Sequence, residues 1–365
     1  MENMVKKDFE FQLLKKFYNN KVVFVTGATG FKGSWLCLLL KKLGAKVIGY
    51  SLPPERKNDL FVKANIKSVI HSNHFDDIYN YDQLDKVFKK FKPEIVFHLA
   101  AQALVRHSYK QPKQTYQTNV MGSINLLELV RKNEFVKSFI YVTSDKVYKN
   151  KEWIWGYREN DELGGHDPYS ASKAAAEIVF NSYLQSFFYE NQVQGLASVR
   201  AGNVIGGGDW ATDRIIPDCI RSISKDSIIE VRSPYAVRPW QHVLEPLSGY
   251  LLLAKELYDN PNKFKGSWNF GPNTSSVRTV KELTEKVIDI FQKGRINFNK
   301  NSTNLHEANL LHLNCDKSNQ FLNWYPKWDF NNTIDVTVEW YKKFIDKKES
   351  ALDLTNNDIN KYFKL

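Results

Sequence analysis

Short apolar runs rich in β-branched residues alternate with longer segments of helical length along the first half of the chain. The first run lies at residues 22–25, and an apolar segment at residues 34–40 follows it after a break at Thr26 and Gly27. Further runs, with helical patterns between them, lie at residues 46–50, 94–99 and 138–142. These periods are typical of buried strands and helices. Their alternation predicts an α/β protein with a doubly wound parallel sheet and right-handed crossovers.

Glycine residues occupy the break between the first predicted strand and the first predicted helix. Gly27 would permit a tight turn, Gly30 would let the backbone approach a pyrophosphate, and Gly33 would let the helix pack against the strand. The N-terminus of that helix would then bind phosphates. We therefore predict a Rossmann-type fold with a dinucleotide site at the carboxyl ends of its strands.

The pattern changes after about residue 200 to loops rich in Gly, Pro, Trp and Arg. We predict a dinucleotide-binding domain over residues 18–200, to which the chain returns near 241–270. A smaller C-terminal substrate-binding domain would comprise residues 201–240 and 271–345. The charged tail, residues 346–365, would be a surface helix or a partly disordered segment.

The charge and cysteine content of the chain indicate which classes of partner it binds. The chain has 51 Lys and Arg against 40 Asp and Glu, a formal charge of +11, but these residues are spread along its length. We therefore expect no nucleic acid partner, and the surplus of cations suits an anionic diphosphate substrate or simply a solvated surface. Cys37, Cys219 and Cys315 are far apart and odd in number, so neither a disulfide framework nor a metal site is predicted.

No stretch reaches the roughly 20 apolar residues of a membrane helix, and the first 20 residues hold no signal-peptide core. We expect a cytoplasmic protein that does not associate with membranes.

Two clusters carry candidate chemistry. Tyr169 and Lys173 are four residues apart, which places them on one face of a helix, where the ammonium can lower the pKa of the phenol and make it a base. Ser144, Asp145 and Lys146 follow a predicted strand. Alone, the first pair could be an exposed i,i+4 pair and the second cluster an exposed turn. Their order after the glycine turn favours hydride chemistry at a sugar or alcohol carbon.

Longer stretches carry a more specific likeness. They lie at residues 27–36, 100–106, 142–146, 155–160, 199–210 and 238–246. Together with the G-x-x-G-x-x-G spacing, they resemble the extended short-chain dehydrogenases/reductases, and within that group the nucleotide-sugar 4,6-dehydratases that act on CDP-glucose. The likeness runs from about residue 21 to residue 272, with weaker matches as far as residue 328.

The resemblance implies a hydro-lyase with CDP-glucose as substrate and a tightly bound NAD that is regenerated in each turnover. Such an enzyme oxidises C4, removes the C5 proton, expels the C6 hydroxyl and returns the hydride to C6. The product would be CDP-4-keto-6-deoxyglucose, a precursor in deoxysugar and polysaccharide biosynthesis. The resemblance also implies a homodimer or a higher homo-oligomer.

The resemblance assigns the five catalytic residues. Tyr169, supported by Lys173, would take the proton of the C4 hydroxyl, and Ser144 would orient that oxygen. Asp145 would be the acid toward the C6 oxygen and Lys146 the base at C5, where related dTDP-glucose enzymes carry Asp-Glu. Lys146 must then be neutral, through burial or a neighbouring cation, and Asp145 must be protonated.

The predicted cofactor contacts combine the glycine turn with later strand ends. They are Gly27, Thr29, Gly30, Phe31, Lys32, Gly33, Asp77, Ile78, Ala100, Ala101, Tyr169 and Lys173. Asp77 could contact the adenine or begin a helix. The second predicted strand ends at Tyr50-Ser51-Leu52 without an acid for the ribose hydroxyls. NADP is therefore not excluded, and Arg56 or Lys57 could face a 2′-phosphate or be solvated.

The predicted substrate contacts are polar residues within or near the resembling stretches. They are Gln102, Arg106, Asn203, Arg214, Arg238 and His306. Arg238 is the first choice for a phosphate contact, although it could instead stack on the neighbouring Trp240. Residues that would read the edge of the cytosine cannot be located in this way.

Three alternatives stay open. The chain could dehydrate another nucleotide sugar, or it could be a 4-epimerase, which needs Tyr169 and Lys173 but not Asp145 and Lys146. It could also be a catalytically silent NAD-binding sensor or scaffold, since a fold does not fix a function.

Overall fold

The structure, a computed structural model, describes residues 9–298 and 310–365. Its strands in chain order are β1 (Val22–Thr26), β2 (Lys46–Ser51), β3 (Ser72–Phe75), β4 (Ile95–His98), β5 (Ser138–Val142), β6 (Gly195–Arg200), β7 (Val204–Ile205), β8 (Ile228–Val231), β9 (Val237–Pro239), β10 (Gln241–His242), β11 (Gly266–Asn269), β12 (Val277–Thr279) and β13 (Arg295–Phe298).

Seven of these described strands form one parallel sheet in the order β11-β6-β5-β4-β1-β2-β3. This arrangement confirms the predicted doubly wound Rossmann-type fold. It also confirms β1, β2, β4 and β5 close to their predicted bounds. Their residues are almost all buried, as expected of strands covered by helices on both faces.

The helices in chain order are α1 (Phe9–Tyr18), α2 (Phe31–Lys42), α3 (Leu60–Lys63), α4 (Ile66–Val69), α5 (Tyr81–Phe91), α6 (Val105–Lys110), α7 (Pro112–Tyr116), α8 (Gly122–Lys132), α9 (Pro168–Tyr183), α10 (Ile215–Ser224), α11 (Leu244–Asp259), α12 (Pro261–Phe264), α13 (Val280–Phe291), α14 (Asp316–Leu322), α15 (Phe330–Asp346) and α16 (Ala351–Phe363). A π-helical turn at Gln117–Met121 joins α7 to α8, and a second at Leu184–Phe188 continues α9.

Two hydrophobic cores cover the two faces of the sheet. Alternate residues of β1 point to opposite cores: Val23 and Val25 pack with α2 and α11, and Phe24 packs with α5 and α8. This alternation is the two-residue period of a strand. Because both faces are covered, only the ends of the strands are open to ligands.

Smaller strand pairs form beyond residue 200. Strands β7 and β10 pair in parallel, as do β8 and β13, whereas β9 and β12 are antiparallel. The loops around these pairs lie above the carboxyl ends of the main sheet. The proposed division into two domains stays a prediction, although β11 brings the chain back to the main sheet within the predicted return.

The predicted tail contains a helix with one buried face. Helix α16 buries Leu354, Ile359 and Tyr362, and Phe363 packs on Phe11 with ring centroids 5.4 Å apart. Of the two alternatives for this segment, the helix is confirmed. Across the described parts of the chain, no helix is both long and apolar enough to cross a membrane.

Candidate active site

A cavity of about 1380 Å³ opens at the carboxyl ends of the central strands. Gly27 after β1, Ala100 after β4 and Ser144 after β5 all line it. The strand order reverses between β1 and β4, so this is the switch point at which doubly wound sheets bind their ligands. Residues from the second half of the chain close the opposite wall.

The glycine turn is packed so tightly that side chains would not fit. Gly27 has a φ of +70°, and a Cβ there would lie 2.8 Å from the backbone nitrogen of Ala100. A Cβ on Gly33 would lie 2.1 Å from the carbonyl oxygen of Gly27. Gly30 is the N-cap of α2, and the Thr29 hydroxyl donates to the Leu52 carbonyl at 2.9 Å. The turn therefore presents a helix N-terminus to the cavity, as a pyrophosphate requires.

Two further predicted cofactor contacts, Asp77 and Ile78, line the cavity. One Asp77 carboxylate oxygen accepts from the Tyr79 backbone N–H at 2.9 Å. The helix that follows is capped by Asn80 instead. Asp77 thus shapes the turn before α5, and its contact with adenine stays a prediction.

A cation stands near the end of β2. Arg56 lines the cavity and pairs with Glu55 at 2.8 Å and with Asp59 at 3.7 Å. Sequence reasoning did not identify Asp59, which supplies an acid to this wall although β2 itself ends without one. The pairing partly neutralises Arg56, and this favours an uncharged ribose hydroxyl over a 2′-phosphate at this end.

The second cluster follows β5 directly. Ser144 caps a 3₁₀ turn at Asp145–Val147, where its Oγ accepts from the Lys146 backbone N–H at 3.2 Å and donates to Asp145 Oδ1 at 3.0 Å. Asp145 is 3% exposed, and its Oδ2 has no hydrogen-bond partner among the described residues. Lys146 is half-buried in the cavity wall. Oδ2 of Asp145 is therefore buried and available to bind a ligand in the cavity.

Helix α9 brings Tyr169 and Lys173 to the same cavity. Asp167 caps the helix by accepting from the Ser170 backbone N–H at 3.0 Å, and Pro168 occupies its first turn. Tyr169 and Lys173 are both buried on the inner face, and Lys173 Nζ donates to the Val142 carbonyl at 3.4 Å. The predicted shared helix face is therefore confirmed.

The electrostatics differ from the sequence prediction in one respect. Burial raises the pKa of Tyr169, while a hydrogen bond with Ser144 and the guanidinium of Arg214 oppose the rise. Burial and the ammonium of Lys32 lower the pKa of Lys173 to about 7. Since Lys173 is itself only partly charged near neutral pH, it does not produce the lowered phenol pKa that was predicted.

Lys32 belongs to the same group of cations. Burial and the neighbouring Arg214 lower its pKa to about 8, while Asp145 opposes this shift. Its position in the glycine turn had suggested only a cofactor contact. In the structure it is also the ammonium that acts on Lys173 and Asp145.

A buried ion pair that sequence reasoning missed lies next to the group formed by Lys173, Lys32 and Asp145. Arg200 Nε and Nη2 donate to the two oxygens of Glu177 at 2.9 and 2.8 Å, and both side chains are fully buried. The Thr143 hydroxyl donates to Glu177 at 2.5 Å and that of Ser198 at 2.8 Å. The available signal was the position of Glu177, four residues after Lys173 on the same helix face.

Several arginines also line the cavity. Asp213 pairs with Arg106 Nη1 at 3.6 Å and with Arg232 Nη1 at 3.1 Å, and Arg214 stands 3.8 Å from Asp209. Arg238 lines the same cavity. The structure thus brings the three predicted arginines together and adds Arg232, which sequence reasoning missed although it lies in the same Arg-rich region. Clustered guanidinium groups are suited to a diphosphate.

The remaining predicted substrate contacts have different surroundings. Gln102 uses its side-chain amide within its own loop, donating to the Leu104 carbonyl at 3.1 Å and to Thr115 at 3.0 Å. Asn203 lies in the cavity wall with a φ of +50°. Their contacts with substrate stay predictions. His306 lies outside the described residues.

Comparisons with known proteins agree with this geometry. The family model for GDP-mannose 4,6-dehydratase matches residues 24–337. The chain is 47% identical over 352 residues to the CDP-glucose 4,6-dehydratase of Salmonella typhimurium strain LT2, with 95% of this chain and 98% of that protein covered. Such a match spans both the strand ends and the arginine-rich wall.

Solved structures share the fold at lower identity. The NAD complex of dTDP-glucose 4,6-dehydratase from Bacillus anthracis superposes with a TM-score of 0.73 at 24% identity, covering 88% of this chain and 97% of the other. The NAD complex of UDP-glucose 4-epimerase from Thermus thermophilus has a TM-score of 0.76 at 23% identity, covering 88% and 99%. Dehydratases and epimerases thus share this architecture.

Proposed function

The chain belongs to the nucleotide-sugar dehydratase family that the GDP-mannose 4,6-dehydratase model describes, and on this premise we propose that it converts CDP-glucose to CDP-4-keto-6-deoxyglucose. The observation that carries the proposal is the convergence of Asp145 and Lys146 with Tyr169 in one cavity. Besides a hydride acceptor, oxidation at C4 needs a base such as Tyr169 but no second acid and base pair. An acid and a base beside it are the groups that the loss of water requires.

The residues present fit a nicotinamide dinucleotide. A Cβ on Gly27 or Gly33 would collide with backbone, so the turn keeps the open N-terminus of α2 that a pyrophosphate needs. Thr29, Phe31, Lys32, Ala100 and Ala101 line the same part of the cavity. NAD bound there would accept the hydride from C4 and later return it to C6. Arg56, which pairs with two carboxylates, supports NAD over NADP.

The side chains then divide the proton transfers between them. Tyr169 takes the proton of the C4 hydroxyl while Ser144 holds that oxygen. Once C4 is a ketone, the C5 proton becomes acidic, and Lys146 removes it. Asp145 donates its proton to the C6 oxygen, the C6–O bond breaks, and water leaves. When the hydride returns to C6, Lys146 would give a proton that has exchanged with solvent back to C5. The O4 proton on Tyr169 passes through solvent to restore Asp145, so the sugar loses one water in all.

Asp145 and Lys146 are neighbours in the cavity wall, where Asp145 is buried and Lys146 is half-buried. The same pair would be idle in a 4-epimerase.

The arginine wall would bind the diphosphate. Arg106, Arg214 and Arg238 line the same cavity as the catalytic cluster, and Arg106 Nη2 is buried without a hydrogen-bond partner among the described residues. Two phosphate groups would supply the acceptor that this nitrogen lacks. Asn203 borders the same space, and Gln102 would act by shaping its loop.

We further propose a cytoplasmic homodimer. Exposed apolar side chains occur along the helical segments that contain α8 and α9, including Met121, Ile178 and Phe187. Such residues on adjacent helices suit a symmetric helical interface. Replacing Ile178 by Asp would be expected to yield a monomer in sedimentation experiments.

The direct test is to incubate the purified protein with CDP-glucose in heavy water, with no added cofactor, and to follow the sugar by NMR and mass spectrometry. We expect the loss of one water and the appearance of deuterium at C5. Inversion at C4 without loss of water would identify an epimerase. Turnover of a dTDP-, UDP- or GDP-sugar alone would change the substrate. An unchanged sugar in every case, also with added NAD, would favour a sensor or scaffold.

A variant tests the base. In Lys146→Ala, loss of water should fall about 10³-fold because the C5 proton has no acceptor, while oxidation at C4 persists. Lys151→Ala is the matched control, since Lys151 is a nearby lysine that pairs with Glu162 at 3.5 Å. Unimpaired dehydration by Lys146→Ala would contradict the assigned base.

A further inference from the structure

The carboxyl of Asp145 packs directly on a stretch of bare backbone. A Cβ on Gly202 would lie 1.7 Å from Asp145 Oδ2 and 2.1 Å from its Cγ, so a side chain there would displace the carboxyl. Gly202 lies just beyond the end of β6, where the regular backbone pairing of the main sheet has stopped. The position of this peptide therefore sets the space in which the carboxyl group can lie.

A buried glutamine fixes that peptide. Gln241, 1% exposed, donates through Nε2 to the Gly202 carbonyl at 3.1 Å and to the Phe270 carbonyl at 3.0 Å. Its backbone N–H donates to the Asn203 carbonyl at 3.3 Å. Phe270 follows β11, so one amide group joins the ends of two neighbouring strands. Gln241 thus supplies hydrogen bonds to the backbone where the strand pairing ends.

Two hydrogen bonds from Gln241 hold consecutive carbonyls of this backbone, one of Gly202 and one of Asn203. Asn203 has a φ of +50°, a left-handed conformation that asparagine adopts more readily than most residues other than glycine. Removing the side-chain donor frees the peptide on which Asp145 rests.

We infer that Gln241 is a positioning residue for the elimination step, acting on Asp145 through the Gly202 peptide. This inference rests on the proposed function, because it assumes that Asp145 protonates the C6 oxygen. The Gln241 side chain bonds neither Tyr169, which belongs to α9, nor Ser144, which lies in the turn after β5, so oxidation at C4 should be affected less than elimination. Its loss should therefore separate the two halves of the reaction.

The chain supplies a matched control. Gln194, 2% exposed, also joins two carbonyls through Nε2, those of Val130 at 2.9 Å and Asn133 at 3.2 Å. These contacts lie at the opposite, amino-terminal end of β6. The same substitution at both glutamines removes the same chemistry, but only one of the two sites touches the support of Asp145.

The experiment compares Gln241→Met with Gln194→Met. Reactions with CDP-glucose are quenched in borodeuteride, which labels ketones, and mass spectrometry separates keto-sugars that have kept or lost the C6 oxygen. In Gln241→Met, loss of water should fall by roughly 10- to 100-fold because the acid is displaced, and the keto-sugar that keeps its C6 oxygen should rise about 10-fold. Gln194→Met should keep the wild-type ratio while its melting temperature falls similarly.

A second variant keeps the inference testable if Gln241→Met does not fold. Gly202→Ala keeps Gln241 but places a Cβ against the Asp145 carboxyl, so it should give the same accumulation of undehydrated keto-sugar. Gly202 lies outside the left-handed region, so alanine is compatible with its backbone. A wild-type ratio in Gln241→Met, or an equal slowing of oxidation and elimination, would overturn the inference.

Hydrogen exchange makes the result independent of catalysis. Amides at residues 201–205 should exchange at least about 10-fold faster in Gln241→Met than in wild type or Gln194→Met, because their tether is lost. Unchanged exchange would also overturn the inference. Failure of the proposed function would instead appear in the unmodified enzyme, as absence of water loss from CDP-glucose.

Discussion

Two buried carboxylates, those of Glu177 and Asp145, lie near the end of β5. Each accepts a hydrogen bond from one of two adjacent hydroxyl residues. Thr143 donates to Glu177, and Ser144 donates to Asp145. Glu177 receives further bonds from Arg200 and Ser198, so that both of its oxygens are satisfied. Asp145 keeps one oxygen that accepts no hydrogen bond from the described residues.

This difference in hydrogen bonding distinguishes a carboxylate that stabilises the fold from one that we assign to the reaction. Burial would raise the pKa of Glu177, but the Arg200 guanidinium and the hydroxyl donors hold it below its ordinary value. Its charge is therefore fixed, and the pair joins α9 to β6. Asp145 accepts a side-chain hydrogen bond from Ser144 and keeps its other oxygen open toward the cavity. Within this pair, the carboxyl with the open oxygen is the one that we assign to the reaction.

The largest effect is expected where the unsatisfied carboxyl is removed. Asp145→Asn should lower the rate of water loss about 10³-fold, since an amide cannot donate a proton to the departing oxygen. Its melting temperature should stay within a few degrees of wild type, because little structure depends on that oxygen. Steady-state assays with CDP-glucose and thermal unfolding measure both. A rate close to wild type would mean that another group is the acid.

The satisfied carboxylate should behave in the opposite way. Glu177→Gln should lower the free energy of unfolding by about 3 kcal/mol, because Arg200 becomes a buried cation without a counter-charge. Chemical denaturation measures this loss. Activity per folded molecule should fall much less than in Asp145→Asn. If activity disappears while stability is kept, Glu177 belongs to the chemistry and the comparison fails.

A third buried carboxylate extends the comparison to pH. Glu245 accepts from the Lys327 and Trp328 backbone N–H groups and from Tyr362, yet burial raises its pKa to about 7. A raised pKa means that its contribution to stability is complete below about pH 4.5 and is lost as the pH rises through about 7. Glu245→Gln should therefore be more stable than wild type at pH 8, by roughly 3 kcal/mol.

Thermal unfolding between pH 5 and 8 tests this expectation, and Asp358 must be considered beside Glu245. Burial raises the pKa of Asp358 to about 7 against the opposing charges of Lys361 and Lys343. Wild type should lose stability through both groups, and each single amide variant should lose less. A slope that Glu245→Gln does not change would show that this carboxyl titrates normally.

The smallest effects should divide between the adjacent hydroxyls. Thr143→Val should cost about 1 kcal/mol of stability with little change in rate, because Glu177 keeps its other donors. Ser144→Ala should cost less stability but slow the reaction about 10-fold or more, since this hydroxyl contacts Asp145 and the substrate oxygen. Equal effects of both variants on both measurements would remove the distinction between the two carboxylates.

Sequence patterns predict the centre of this fold better than its edges. Strands β1, β2, β4 and β5 are continuous apolar runs because helices cover both of their faces. The two edge strands, β3 and β11, read Ser-Asn-His-Phe and Gly-Ser-Trp-Asn, and their polar residues hide the strand pattern. An edge strand buries less, so its composition is less constrained.

The candidate site divides in the same way. Its local motifs could be predicted, since the glycine turn and the Tyr169–Lys173 spacing each lie within a few residues of a strand or helix end. The contacts of Gln241 with Gly202 and of Arg200 with Glu177 could not, because they depend on where separate elements meet. Composition gives no sign of which glutamine among several will bridge two strands.

The place of β11 at the edge of the sheet also has a consequence for synthesis of the chain. Strand β6 leaves the ribosome well before Gly266–Asn269, and at roughly 5–20 residues per second the interval lasts for seconds. During that time the edge of β6 that does not pair with β5 is open to pairing with any other extended segment, including a second nascent chain. The nascent chain is therefore most prone to misassembly just before β11, the seventh strand of the main sheet, emerges. A chaperone would be most useful at that stage.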